Sequence, residues 1–169
     1  MLLYFPEKFD ANEWFVLGAV IANILVFTLI PKRLPRELVP LIVLLSISFP
    51  KILDHTMAIQ PYDFYNINDS KKYELFDLIL YGVYPMFVYL FLYFYDVFKP
   101  THMKFLFYIL SWTFFAGAFE YILSKIHVFT YMGWHIVFSL PVYLVSLCLT
   151  YLFYRFLNNY LLKSKSNSN

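Results

Sequence analysis

Charge is what this 169-residue sequence has least of. Only 14% of its residues are Asp, Glu, Lys or Arg, where a soluble domain averages about 25%. Apolar residues make up 61%, and aromatics alone 23%, from 20 Phe, 16 Tyr and 3 Trp. A soluble domain of this length could not bury so much apolar surface and still cover itself with polar groups. The shortage of charge therefore excludes a soluble enzyme, a disordered chain and a secreted disulfide scaffold. A basic excess is missing too. The 13 Lys+Arg stand against 11 Asp+Glu, a net charge of +2, without the strongly basic face that nucleic-acid binding requires. A single cysteine, Cys148, allows no intramolecular disulfide and says nothing of compartment. The 4 His are scattered, and no HExxH or other metal-ligand spacing occurs, so neither a metal nor another cofactor is expected. Residues 1–10 lack a basic n-region and a small-residue cleavage site. A retained first helix is expected rather than a cleaved signal. No internal repeat is visible.

What is present is a series of long apolar runs. A helix needs about 20 mainly apolar residues to cross about 30 Å of hydrocarbon. Five segments qualify, at about 14–30, 38–53, 74–98, 104–123 and 135–157. Backbone groups in lipid must be satisfied internally, and the alternation of a β-barrel is absent. The expected fold is an all-α integral membrane bundle, one domain over residues 1–160, with 161–169 a polar disordered tail. Segment 38–53 is the least regular. Pro40 suits a first helical turn, whereas Pro50 should kink or end the helix, and a re-entrant segment is the alternative. Pro85 should kink the third span and Pro141 the fifth. Short connections near 31–37 and 99–103 predict that spans one and two, and spans three and four, are antiparallel neighbours. Gly18 with Ala22, and Ala116-Gly117-Ala118, mark candidate close helix contacts.

Lys and Arg distribution predicts orientation. Lys32, Arg33, Arg36, Lys99, Lys104, Arg155, Lys163 and Lys165 would share one side; Lys8, Lys51, Lys71, Lys72 and Lys125 the other. The richer side is read as cytoplasmic. The chain is then a multi-pass protein of the cell membrane, N-terminus outside and C-terminus in the cytoplasm. In the outer loop 54–73, Asp69 or Ser70 could N-cap the third span. The sequon Asn68-Asp69-Ser70 reads as a chance match. Asp96 is expected to pair with Lys99 or Lys104.

The acids inside the apolar runs are the candidates for function. An ionisable group in a membrane span costs about 2.5–3.5 kcal/mol at the centre and calls for a reason. Asp77 and Glu120 each lie about one turn from the outer end of a span. Asp54, His55, His127 and His135 fall at the same level. These six form a candidate polar cluster, able to receive a cation, a lipid headgroup or a metal. An interhelical hydrogen-bond network is the simpler reading. The aromatic run from Tyr84 to Tyr95 covers every face of its helix and reads as packing and lipid contact.

Three local patterns together are similar to a known family: Phe76-Asp77 leading to Tyr84-Pro85, Phe119-Glu120-Tyr121, and Tyr131-Met-Gly-Trp134-His135. In this order and spacing the chain resembles an uncharacterised family of small five-span membrane proteins of spore-forming Firmicutes, over roughly residues 30–157. The resemblance implies a five-helix membrane fold and no particular activity. It draws attention to Asp77, Pro85, Glu120 and Trp134. The family pattern often places an Arg shortly after a Pro in the loop before the third helix; Gln60-Pro61-Tyr62-Asp63 carries an acid there instead.

Three functions compete. The first is a non-enzymatic membrane component that binds a lipid or a partner protein, with tiny loops and no catalytic motif. The second is a small transporter or ion-coupled protein using Asp77 and Glu120. The third is a membrane enzyme acting on lipid headgroups at the outer interface with Glu120, Asp77 and His135. The expected partners are the lipid bilayer and a membrane protein or second copy of the chain, not nucleic acid.

Overall fold

The computed structural model describes residues 4–6, 8–58, 60–67 and 74–167. In chain order they form α1 (Ala11–Leu29), α2 (Val39–Met57), β1 (Tyr65–Ile67), α3 (Leu75–Leu80), α4 (Tyr84–Phe98), α5 (Met103–Lys125), β2 (Phe129–Tyr131) and α6 (Ile136–Asn167). With α3 and α4 taken as one span, five segments are long and apolar enough to cross a membrane. The expected all-α class is the observed one. β1 and β2 pair antiparallel, Tyr65 opposite Tyr131 and Ile67 opposite Phe129. This ribbon joins the loop after α2 to the loop after α5, so it covers one end of the bundle.

Local chemistry explains the boundaries. α1 begins at Ala11 because Asp10 occupies the N-cap and the Glu13 carboxylate accepts its backbone N–H at 2.7 Å, half of a capping box. Pro40 lies in the first turn of α2, as expected. Pro50 does not end α2, which runs on to Met57 as 19 residues, or about 28 Å, enough to span hydrocarbon. Pro50 removes one donor, and a cavity lined by Ser46, Pro50 and Leu53 lies beside it. The expected kink at Pro85 is a full break. Residues 81–83 form a turn whose N–H groups bond three residues back, Gly82 to Ile79 and Val83 to Leu80, both at 2.9 Å. Pro85 then opens α4, where no donor is missed. Asn23 of α1 donates its amide to the Gly82 and Val83 carbonyls at 3.3 and 3.1 Å, tying α1 to the break. Pro141 lies within α6, which continues on both sides of it.

α6 also corrects the expected disordered tail, since it stays helical through Asn167. Residues 158–167 contain neither Gly nor Pro, and Lys165 pairs with Glu37 at 3.1 Å. Asp96 pairs with Arg33 at 3.6 Å rather than with Lys99 or Lys104. Lys99 instead turns the chain as a left-handed C-cap. Asp69, Ser70 and the sequon lie outside the described residues; Glu74 is the N-cap of α3.

α4 is the central helix. In the α3–α4 span 44% of the apolar window is buried, against 17% in α1, α2 and α6. Phe91 and Leu92 have no exposed surface. α4 and α5 are neighbours, as expected, but large rings hold them apart: Trp112 meets Phe87 and Phe91 edge-on at 5.2 and 5.8 Å. Tyr108 reaches across to donate to the Phe91 carbonyl. α1 and α2 are not close-packed neighbours. α2 packs mainly on α4 and α1 on α3, and a groove of about 280 Å³ separates α1, α2 and α4. Gly18 and Ala22 are exposed, with nothing near the Gly18 Cα face, so the expected contact there is absent. The draw of Asn23 toward the carbonyls at the break sets the contact face of α1 instead. Outward-facing side chains such as Leu25, Phe107, Phe114, Leu152 and Phe156 are apolar, the reverse of a soluble surface.

α5 and α6 pack closely against each other. A Cβ on Gly117 would stand 2.8 Å from Leu140 Cδ2, so the small residues before Glu120 bring the two backbones together. Gly117→Leu should therefore lower bundle stability by about 1–3 kcal/mol. Gly117→Ala should cost less, because the Leu140 side chain can turn aside. Thermal unfolding in one detergent, compared across the series, checks the order.

Candidate functional site

The ribbon supplies the functional geometry. Cross-strand partners carry side chains on the same face, so Tyr65 and Tyr131 stand side by side over the ends of the helices. Their phenols reach two buried carboxylates. Tyr65 donates to Asp54 Oδ1 at 2.7 Å, and Tyr81, from the break, donates to Asp54 Oδ2 at 2.9 Å. Tyr131 donates to Glu120 Oε1 at 2.5 Å and Ser139 of α6 donates to the same oxygen at 2.8 Å. The direction of that last bond is set by Trp134, whose indole N–H donates to Ser139 Oγ at 2.9 Å. The Ser139 hydroxyl hydrogen is left to point at Glu120. Each carboxyl group thus accepts from two hydroxyls.

Asp54 and Glu120 line one partly open cavity of about 90 Å³. Its walls include Tyr65, Tyr84, Tyr131, Trp134 and Tyr143. No Lys, Arg or His is among the described lining residues. Glu120 is 6% exposed, and its Oε2 atom is buried without a close hydrogen-bond donor among the described residues. Tyr143 lies at the edge of hydrogen-bonding reach of the Glu120 carboxyl group. Lys51 lies over the ring of Tyr81 at 5.3 Å, so a cation attends the Asp54 side of the site from outside the cavity.

The expected polar cluster divides. Asp54 and Glu120 share the cavity; Asp77, His55, His127 and His135 do not line it. Asp77 is buried at the start of α3, where its Oδ2 accepts the Glu74 backbone N–H at 2.8 Å, a capping role. His55 is exposed, and its Nδ1 lies 3.0 Å from the Lys51 carbonyl. His127 is an exposed turn residue at φ 59°. His135 is exposed and packs on the ring of Phe138. A common level in the sequence did not place these groups on a common face. Asp77 and His135 therefore do not share the cavity that Glu120 lines. Among the described residues, no group of three His, Cys, Asp or Glu could hold a metal ion.

The residues that sequence reasoning missed are the ribbon tyrosines, Tyr81 and Ser139. Their only signal was weak: Tyr65-Asn-Ile67 and Phe129-Thr-Tyr131 are short, alternating and rich in aromatic and β-branched side chains.

The fold and site define a class: a five-span helical bundle with an acid–tyrosine cavity closed at one end by a β-ribbon. No protein-family model, curated protein or solved structure matches the chain.

Tyr65 and Tyr131 lie outside the spans, and burial pushes both phenols well above their ordinary range. The neighbouring carboxylates, Asp54 and Glu120, raise them further. Below pH ~10 both phenols are neutral in the folded and unfolded chain alike. Above it the unfolded chain releases these protons first, so stability falls as pH rises toward the folded values. The double variant Tyr65→Phe/Tyr131→Phe should start lower, by about 1.5–3 kcal/mol for each lost bond to a charged acceptor. It should then lose less between pH ~9 and ~11. Chemical unfolding at stepped pH measures both effects.

Proposed function

We propose that the protein is a non-enzymatic, multi-pass membrane component whose ribbon-end cavity receives part of a lipid. The reading rests on one observation above all: two buried acids, Asp54 and Glu120, line one partly open, aromatic-walled cavity at the ribbon end of the bundle. An acid buried in a membrane span is costly and calls for a functional reason. The concave, aromatic-walled shape suits a small group better than the flat surface of a partner protein. Its place at the bundle end, beside lipid-facing helices, suits a headgroup entering from the bilayer. The charge distribution supports an orientation with the ribbon at the outer face of the cell membrane and α6 ending in the cytoplasm. Membership of the five-span family of spore formers belongs to the same proposal.

The test is lipid analysis of protein purified in mild detergent. The expected result is about one retained lipid per chain in the wild type, depleted when Glu120→Gln and Asp54→Asn are combined. A monodisperse, folded protein that retains no lipid would overturn the reading.

A further inference from the structure

The groove of about 280 Å³ between α1, α2 and α4 is separate from the ribbon-end cavity. Among the described residues, none lines both. Its floor is Ile42, Met86 and Tyr89, all buried. Its α1 wall includes Ile24, Phe27 and Thr28, all exposed, so the groove opens sideways toward the bilayer. The polar side chains that α1 brings to it are engaged with backbone. The Asn23 amide donates to the Gly82 and Val83 carbonyls. The Thr28 hydroxyl reaches the Ile24 and Leu25 carbonyls at 3.0 and 2.9 Å. What remains is an apolar trough between spans.

Its size suits part of one acyl chain. An apolar cavity of about 150 Å³ holds benzene, and this groove is nearly twice as large. It has no room for a helix, about 10–12 Å across with its side chains. Along α1 the lining runs from Val20 to Thr28, about 12 Å at 1.5 Å per residue. It stops beside the end of α1 at Leu29. The groove therefore lies in the half of the span next to the α1–α2 connection, within one leaflet's share of about 30 Å of hydrocarbon.

Charge at that end selects the headgroup. The Lys32 ammonium stands over the ring of Phe27, a groove wall, 3.7 Å from its centroid, and donates to the Phe27 carbonyl. A cation is thus held where the groove meets the connection, with further N–H donors to offer. Arg33 and Lys165 are matched by acids, Asp96 at 3.6 Å and Glu37 at 3.1 Å. Glu37 also feels Arg36 through space. Four cations therefore stand against two acids here, and Lys32 and Arg36 are the exposed excess. Lys and Arg at the end of a span are what attract an anionic lipid headgroup.

We propose that the α1–α2–α4 groove is a binding site for an anionic phospholipid of the leaflet at the short-loop end, with one acyl chain in the groove and the phosphate on Lys32 and Arg36. A zwitterionic lipid can lay its chain in the same trough, but its ammonium group meets a connection with excess positive charge. The headgroup therefore sets the preference and the groove sets the place. This site goes beyond the ribbon-end cavity and does not depend on that reading.

The test titrates delipidated full-length protein in mild detergent with phosphatidylglycerol or phosphatidylcholine of the same acyl chains, read by native mass spectrometry. One phosphatidylglycerol should bind saturably, about tenfold tighter than phosphatidylcholine at low salt, and the preference should shrink as salt screens it. Lys32→Gln/Arg36→Gln should remove most of that preference. Lys99→Gln/Lys104→Gln, an equal loss of charge at the α4–α5 connection, should keep it. Thr28→Trp fills the groove from its exposed rim and should weaken both lipids severalfold. A phosphatidylglycerol carrying a diazirine in its acyl chain should label residues 20–28 or 82–89. Glu120→Gln/Asp54→Asn, at the ribbon end, should leave these results intact, so the two sites fail or stand separately. Equal binding of the two lipids, an equal effect of the Lys99/Lys104 pair, or labelling only outside the groove overturns the proposal. So does a second copy of the chain at α1 in place of lipid, seen as a dimer that Ile24→Cys cross-links. The wild-type comparison needs no variant to fold.

Discussion

The hydrogen bonds from Tyr65 to Asp54 and from Tyr131 to Glu120 tie the ribbon end of the molecule together. Two carboxylates sit in apolar helices, where each would be costly alone. No cationic side chain is among the described residues that line their cavity. They are held by phenols that burial keeps protonated, and those phenols are delivered by a ribbon of three residues per strand. An isolated two-stranded ribbon is marginal in water. Here its tyrosines anchor it to the helices, and it in turn closes the bundle. The acids and the ribbon therefore stabilise each other, and neither makes structural sense without its partner.

That coupling depends on how the helices approach. Glu120 and Ser139 meet because Gly117 lets α5 lie against α6 at Leu140. Tyr81 meets Asp54 because the chain breaks between α3 and α4, so that a residue which would have continued a helix turns inward. The opposite end of the bundle is built differently. There, rings of α4, α5 and α6 pack together, Phe105 meeting Tyr95 and Tyr151, and the ion pairs Arg33–Asp96 and Lys165–Glu37 are exposed or half-buried, where such pairs contribute little. Packing carries the short-loop end, and directed hydrogen bonds carry the ribbon end.

Part of this was legible in the residues. Apolar run length and the cost of unpaired backbone in lipid were enough for five helical spans. Pro85 marked the break and Ala116-Gly117 the close contact, because a missing donor and a missing side chain act locally. Glu120 stood out as an acid in an apolar run. Asp77 stood out for the same reason, yet it caps α3, and no one-dimensional signal separates a capping acid from a cavity acid. The ribbon escaped notice because three-residue strands carry too little alternation to read.

Composition and hydrophobic run length by themselves determined that this chain is a helical membrane bundle, which ends hold the charges, and that a few acids needed explaining. Those properties depend on each residue and its near neighbours along the chain. Which acids share a cavity was decided only by tertiary structure. Asp54 and Glu120 are joined through helix rotation, through the break before Pro85 and through strand pairing between loops distant in sequence. The same rotations turn His55, His127 and His135 outward. A side chain's level along a span follows from counting residues, but the direction it faces is set by the helices packed against it.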